Sequence, residues 1–115
     1  MKKITAAAVV LVIALFCAAV LYLNRPLTLV VRNVDSEALH AVVVHVTGNS
    51  ISIGDIPAGE SRKVRLATTG ESHVELELAS GRLIINCYFE DGYGGHITAQ
   101  ITRSTVVRTK CDVHV

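Results

Sequence analysis

The sequence predicts an all-β extramembrane domain, a small antiparallel β-sandwich of seven or eight strands, Ig-like in broad architecture. One N-terminal transmembrane helix is expected to precede it. Three observations carry this reading. Twenty consecutive uncharged residues run from Ile4 to Leu23. Beyond Arg25, apolar residues recur at every second position, the period of a half-buried strand. Clusters of Gly, Asn, Asp, Ser and Pro separate these runs, and no stretch of helical period lies between them.

The apolar run is about as long as a helix must be to cross a hydrocarbon core of roughly 30 Å. Lys2 and Lys3 stand before it, as they would before either a signal anchor or a cleaved signal peptide. The only usable cleavage pattern late in the run is Cys17-Ala18-Ala19, and Val20-Leu21-Tyr22-Leu23 continues the apolar stretch past it. An uncleaved anchor fits better than a secreted domain. Cys17 follows Phe16, where lipoprotein processing needs a small residue, so it reads as an apolar helix side chain. The basic flank at Lys2 and Lys3 puts the N-terminus in the cytoplasm and the domain outside it, because cytoplasmic flanks carry the Lys/Arg excess. The resulting division is a short cytoplasmic segment 1–3, a membrane span 4–23, a juxtamembrane linker 24–26 and a β domain 27–115.

The strands follow in order. Leu27-Leu29-Val31, His40-Val42-Val44-Val46, Ile51-Ile53, Val64-Leu66, Val74-Leu76-Leu78, Leu83-Ile85-Cys87-Phe89 and Ile97-Ala99-Ile101 each alternate. Val106 to Val115 offers an eighth. Turns are expected at Asp35-Ser36, Gly48-Asn49, Pro57-Ala58-Gly59, Gly70, Ser80-Gly81 and Asp91 to Gly95. The chain has no Trp and few aromatics, so Val, Ile and Leu must build the core, and these favour strands.

Two hairpins are suggested by register. Gly59-Glu60-Ser61 and Gly70-Glu71-Ser72 each precede an alternating run. A turn centred on Gly70 would face Arg65 to Glu75 and Lys63 to Glu77, with Val64 on Leu76 and Leu66 on Val74. Each exposed cross-strand charge pair contributes about 0.2–1 kcal/mol. A second hairpin centred on Tyr93 would face Phe89 to Ile97, Cys87 to Ala99 and Ile85 to Ile101. In a plain meander Cys87 and Cys111 would then lie two strand spacings of ~4.8 Å apart, about 10 Å. Bridged cysteines need Cα atoms within ~7 Å. Two buried free thiols are therefore expected in a meander, and a Cys87–Cys111 disulfide requires the last strand to lie elsewhere or the tail to fold back. Arg103-Ser104-Thr105 contains no Gly or Pro, so one long bent strand is also compatible there.

Few residues point to chemistry. Without Lys2 and Lys3 the domain carries 9 Lys+Arg against 10 Asp+Glu, with no basic stripe along the chain, so nucleic acid is not an expected partner. His40 and His45 are five apart on one strand and should face opposite sides, and no local Cys or His spacing suits a metal. Ser72 and His73 are adjacent on a strand and diverge, so they cannot act as nucleophile and base. Glu75 and Glu77 share a face, but basic cross-strand neighbours account for them. No enzyme activity and no cofactor are expected. The one unusual loop is Glu90 to His96, whose three glycines would present Asp91, Tyr93 and His96 as an interaction loop.

The segments IGDIPAGES (53–61) and CYFEDGYGGHI (87–97) resemble those of small single-pass bacterial membrane-anchored proteins of unknown function, which carry similar G-x-I-x-x-G-E-S and Y-F-E-x-G-Y-x-G stretches. The resemblance implies a bacterial envelope setting and a β-rich domain, and it brings no catalytic residues. The expected function is a non-catalytic interaction or structural module of the cell envelope. It would be held in the lipid bilayer by residues 4–23 and would engage an envelope protein through a sheet edge or the Tyr93 loop. A periplasmic metal- or small-ligand-binding module is the alternative.

Overall fold

A computed structural model describes residues 2–23, 27–67 and 72–114, with helix side chains described for residues 6–20. Helix α1 spans Lys2–Leu23. Among the described residues no helix is long and apolar enough to cross a membrane. The transmembrane helix expected over 4–23 is therefore not part of the established fold.

Eight strands follow: β1 (Leu27–Asn33), β2 (Leu39–Val46), β3 (Asn49–Ile56), β4 (Ser61–Leu66), β5 (Ser72–Leu78), β6 (Gly81–Phe89), β7 (Gly94–Ile101) and β8 (Val106–His114). They form a β-sandwich of two four-stranded sheets. The front sheet has the order β4-β1-β7-β8 and the back sheet β3-β2-β5-β6. Pairing is antiparallel except between β1 and β7, which run parallel. The sandwich is thus not purely antiparallel, because the chain reaches β7 by crossing from the back sheet instead of doubling back on β6.

The alternating residues meet between the sheets. Leu27, Leu29 and Val31 of β1 and Ile97, Ala99 and Ile101 of β7 are buried from the front. Val42, Val44, Val74, Leu76, Ile85 and Phe89 are buried from the back. One phase differs from the sequence reading. Leu39 is buried and His40 is exposed, because Ala41 adopts φ 53° and the β2–β3 ladder shifts register there. Such a bulge inserts one residue and resets the alternation. His40 and His45 consequently both face solvent, not opposite sides.

Both suggested hairpins are overturned. β4 pairs with β1, placing Val64 on Leu29 and Lys63 on Val30, while β5 pairs with β2 and β6. The Gly70 turn itself lies outside the described residues. Local charge pairing worth under about 1 kcal/mol does not outweigh closing the front sheet: β1 is buried and needs a ladder on both sides. Likewise β6 and β7 occupy different sheets, so Phe89 does not oppose Ile97 in a hairpin. The hairpins that do form are β2–β3, β5–β6 and β7–β8. The last is closed without Gly or Pro. Thr102 N–H donates to the Thr105 carbonyl at 2.9 Å, and Thr102 Oγ1 accepts from the N–H groups of Ser104 and Thr105. The threonine side chain completes the turn and separates β7 from β8, so no long bent strand occurs.

Two devices join the sheets. Cys87 of the back-sheet edge β6 and Cys111 of the front-sheet edge β8 form a disulfide with Cα atoms 5.6 Å apart. The plain meander does not occur, since β8 pairs with β7 while β6 lies across the sandwich. Closing a loop of this size stabilises a fold by about 3 kcal/mol. At the other device, fully buried Asn33 ends β1. Its Nδ2 donates to the carbonyls of Glu37 (2.8 Å) and Ile56 (2.9 Å), and its Oδ1 accepts from Asp35 N–H at 2.8 Å. One side chain thus ties β1, the following loop and the end of β3.

Candidate functional site

The residues singled out in the 90–96 loop do not form an exposed tip. The loop crosses between sheets and is closed by Tyr93 N–H on the Glu90 carbonyl at 3.2 Å. Tyr93 is half-buried and packs against the core, while Asp91 and His96 are exposed. His96 Nδ1 lies 2.6 Å from Thr28 Oγ1 on the neighbouring strand. The structure therefore separates the three residues, turning the tyrosine inward and leaving His96 on the front face.

The solvent face of the back sheet holds a continuous polar chain. Register places Val43 beside Glu77 and Glu77 beside Arg82, and His45 between Ser50 and Glu75. His73 Nε2 meets Glu75 Oε1 at 3.1 Å, and Arg82 bridges Glu75 (3.0 Å) and Glu77 (3.3 Å). Glu77 Oε2 then lies 3.4 Å from His45 Nε2, whose Nδ1 is 2.7 Å from Ser50 Oγ. Glu75 and Glu77 do find basic partners, but from β6 and the histidines, not from Arg65 and Lys63. Ser72 is buried, accepting from Thr47 N–H at 3.0 Å, and points away from exposed His73. Among the described residues, no group of three or more His, Cys, Asp and Glu could hold a metal ion.

Three carboxylates sit below their ordinary range. His73, then Arg82, stabilise ionised Glu75 by hydrogen bonds. The Arg103 N–H does the same for Asp35, and the Ala41 N–H, then the His40 side chain, for Asp55. A carboxylate whose folded pKa is lowered contributes stability above its unfolded value and loses it as pH falls through the folded one. The melting temperature should therefore fall below about pH 4.5. Asp35→Asn should shallow that decline in thermal melts across the acid range; an unchanged acid slope would exclude Asp35 as a contributor.

At one end of the sandwich lies a groove of about 420 Å³, lined by Glu37, Leu39, His40, Leu78, Ser80 and Arg103 among others. Its rim is internally paired. Arg103 meets Glu37 at 3.1 Å and Asp35 at 3.7 Å, and Ser80 Oγ donates to the Arg103 carbonyl at 2.6 Å.

The front face is different in kind. Its registers align three rows of outward positions: Arg65-Thr28-His96-Asp112, Lys63-Val30-Thr98-Lys110 and Ser61-Arg32-Gln100-Arg108. Five of these twelve are Lys or Arg, against one acid. No basic stripe runs along the chain, yet folding gathers cations of β4, β1 and β8 onto one face. Sequence reading missed it because the cations fall in three places, Arg32, Lys63 with Arg65, and Arg108 with Lys110, tens of residues apart along the chain. The alternating patterns K-x-R at 63–65 and R-x-K at 108–110, each putting two cations on one face of its strand, were the available signal.

No protein-family model matches the chain, and comparison with curated proteins and with solved structures found no match. What the geometry defines is a two-sheet β-sandwich, cross-linked between its edges, with one basic face and one internally paired face.

Proposed function

We propose that the chain is a membrane-anchored envelope protein whose β-sandwich is a non-catalytic interaction or structural module outside the cytoplasm. The observation that carries this reading is the Cys87–Cys111 cross-link between sheet edges, a bond that persists in oxidising compartments. The anchor is supported by the uncharged run Ile4–Leu23 and by the exposure of its large side chains, Val10 at 67% and Phe16 at 68%. Lys2 and Lys3 support a cytoplasmic N-terminus. The resemblance to small bacterial single-pass proteins points to the same setting. A binding role is supported by the outer face of the front sheet, where five of twelve outward positions are Lys or Arg.

Two measurements on intact cells test this. In a Cys17→Ala background, Cys87 and Cys111 should label only after denaturation with reductant, and the chain should stay with membranes through an alkaline wash. Labelling in denaturant without reductant would remove the oxidising location. Release by the wash would remove the anchor.

A further inference from the structure

We infer that the outer face of the front sheet docks on the anionic headgroups of the membrane that holds the chain. The inference rests on the anchor reading above and specifies what the tethered domain engages. Arg32, Lys63, Arg65, Arg108 and Lys110 are all exposed on this face, and among the described residues none of the five takes part in an ion pair. On the opposite face, by contrast, Glu75 and Glu77 are engaged by His73, Arg82 and His45. The domain's charge is near zero, so attraction to an anionic surface depends on orientation, and only the front face offers it. The acidic residues of a second copy's back sheet are a poor complement, because Glu75 and Glu77 already have cationic partners.

A depression of about 120 Å³ lies within the basic grid, walled by Thr98, Gln100, Arg108 and Lys110. Two cations beside a hydroxyl and an amide suit a phosphate group, which takes both charge and hydrogen bonds. No Phe, Tyr or Trp occupies any of the twelve grid positions, so His96 is the one ring on this face and no run of stacking platforms is present there. A headgroup layer fits it better than a nucleic acid. Proximity argues the same way. β1 begins at Leu27, four residue steps after Leu23, so its start lies at most about 14 Å from the end of the uncharged run. That is under two Debye lengths of about 8 Å at physiological ionic strength, so Thr28 and its row lie within reach of the surface potential. Docking weakens as salt rises.

The test uses the full chain in nanodiscs of phosphatidylcholine, with or without phosphatidylglycerol, carrying spin-labelled headgroups. Amide signals of Lys63, Thr98 and Lys110 should broaden in the anionic discs alone and recover in high salt, while those of Glu77 and Asn86 stay sharp. Each cation at an anionic surface multiplies partitioning about fivefold, so Lys63→Gln/Arg108→Gln/Lys110→Gln should lower the docked-to-undocked ratio about 100-fold. Equal broadening in both discs, or on both sheets, overturns the inference while leaving the anchor intact. Wild-type broadening that salt does not relieve also overturns it, whatever the variant does. A chain that enters neither disc has failed as an anchored protein. Its sedimentation with phosphatidylglycerol vesicles then decides the face alone: salt-sensitive binding lost in the triple variant upholds it, and absent binding rejects it. Front-face shifts produced by a single-stranded oligonucleotide but not by lipid would make nucleic acid the partner and overturn the headgroup assignment.

Discussion

Asn33→Ala should destabilise the domain by about 3 kcal/mol, among the largest effects expected of any single substitution here. The residue is fully buried, and its amide satisfies the carbonyls of Glu37 and Ile56 and the N–H of Asp35. Truncation leaves those groups without their partner, and each buried unsatisfied group costs about 1–3 kcal/mol. For a domain of this size the melting temperature should drop by roughly 15 °C. Urea unfolding checks it through a lowered midpoint at unchanged slope. Ser36→Ala, on an exposed residue of the following loop, is the control and should be near neutral. If Asn33→Ala is equally neutral, water replaces the clasp and the residue does not hold the sheets together.

Gly95→Ala should cost about as much by a different route. Gly95 adopts φ +121°, a conformation that side chains rarely take, and a Cβ there would run into the Asp112 carbonyl oxygen of β8. Backbone strain and overpacking each contribute about 1–3 kcal/mol. The damage should begin where β7 pairs with the end of β8, so amide exchange at Val113 and His114 should accelerate most. Gly92→Ala separates the two causes. Gly92 also has positive φ (+85°), but an added Cβ meets open space. It should lose only the strain component. Equal losses at the two positions would mean that the approach to β8 is unimportant.

Both residues show what kind of information a sequence carries. Asn33 continues the phase of Leu27-Leu29-Val31, so alternation alone puts it on the core face. What it bonds to was not legible, because Ile56 is 23 positions away. Gly95 was legible as a turn residue in a glycine-rich loop. That its backbone lies against β8 depends on where β8 goes, and nothing local specifies that. The histidine pair illustrates a subtler gap. Period two placed His40 on the core side, and one bulged alanine reversed it.

Alternation and composition alone determined that residues 27–114 form short strands around a Val/Ile/Leu core. The inward set follows from burying apolar surface with a period of two, an instruction local to each strand. Which strands pair is not local. It was decided by closing both sheets at once, which took β4 to β1 and β5 between β2 and β6, against a plausible local hairpin. The same global pairing brought Cys87 within bridging distance of Cys111, and it gathered Arg32, Lys63, Arg65, Arg108 and Lys110 onto one face. Charges dispersed along a chain of near-zero net charge become a field only when strand order gathers them onto one face.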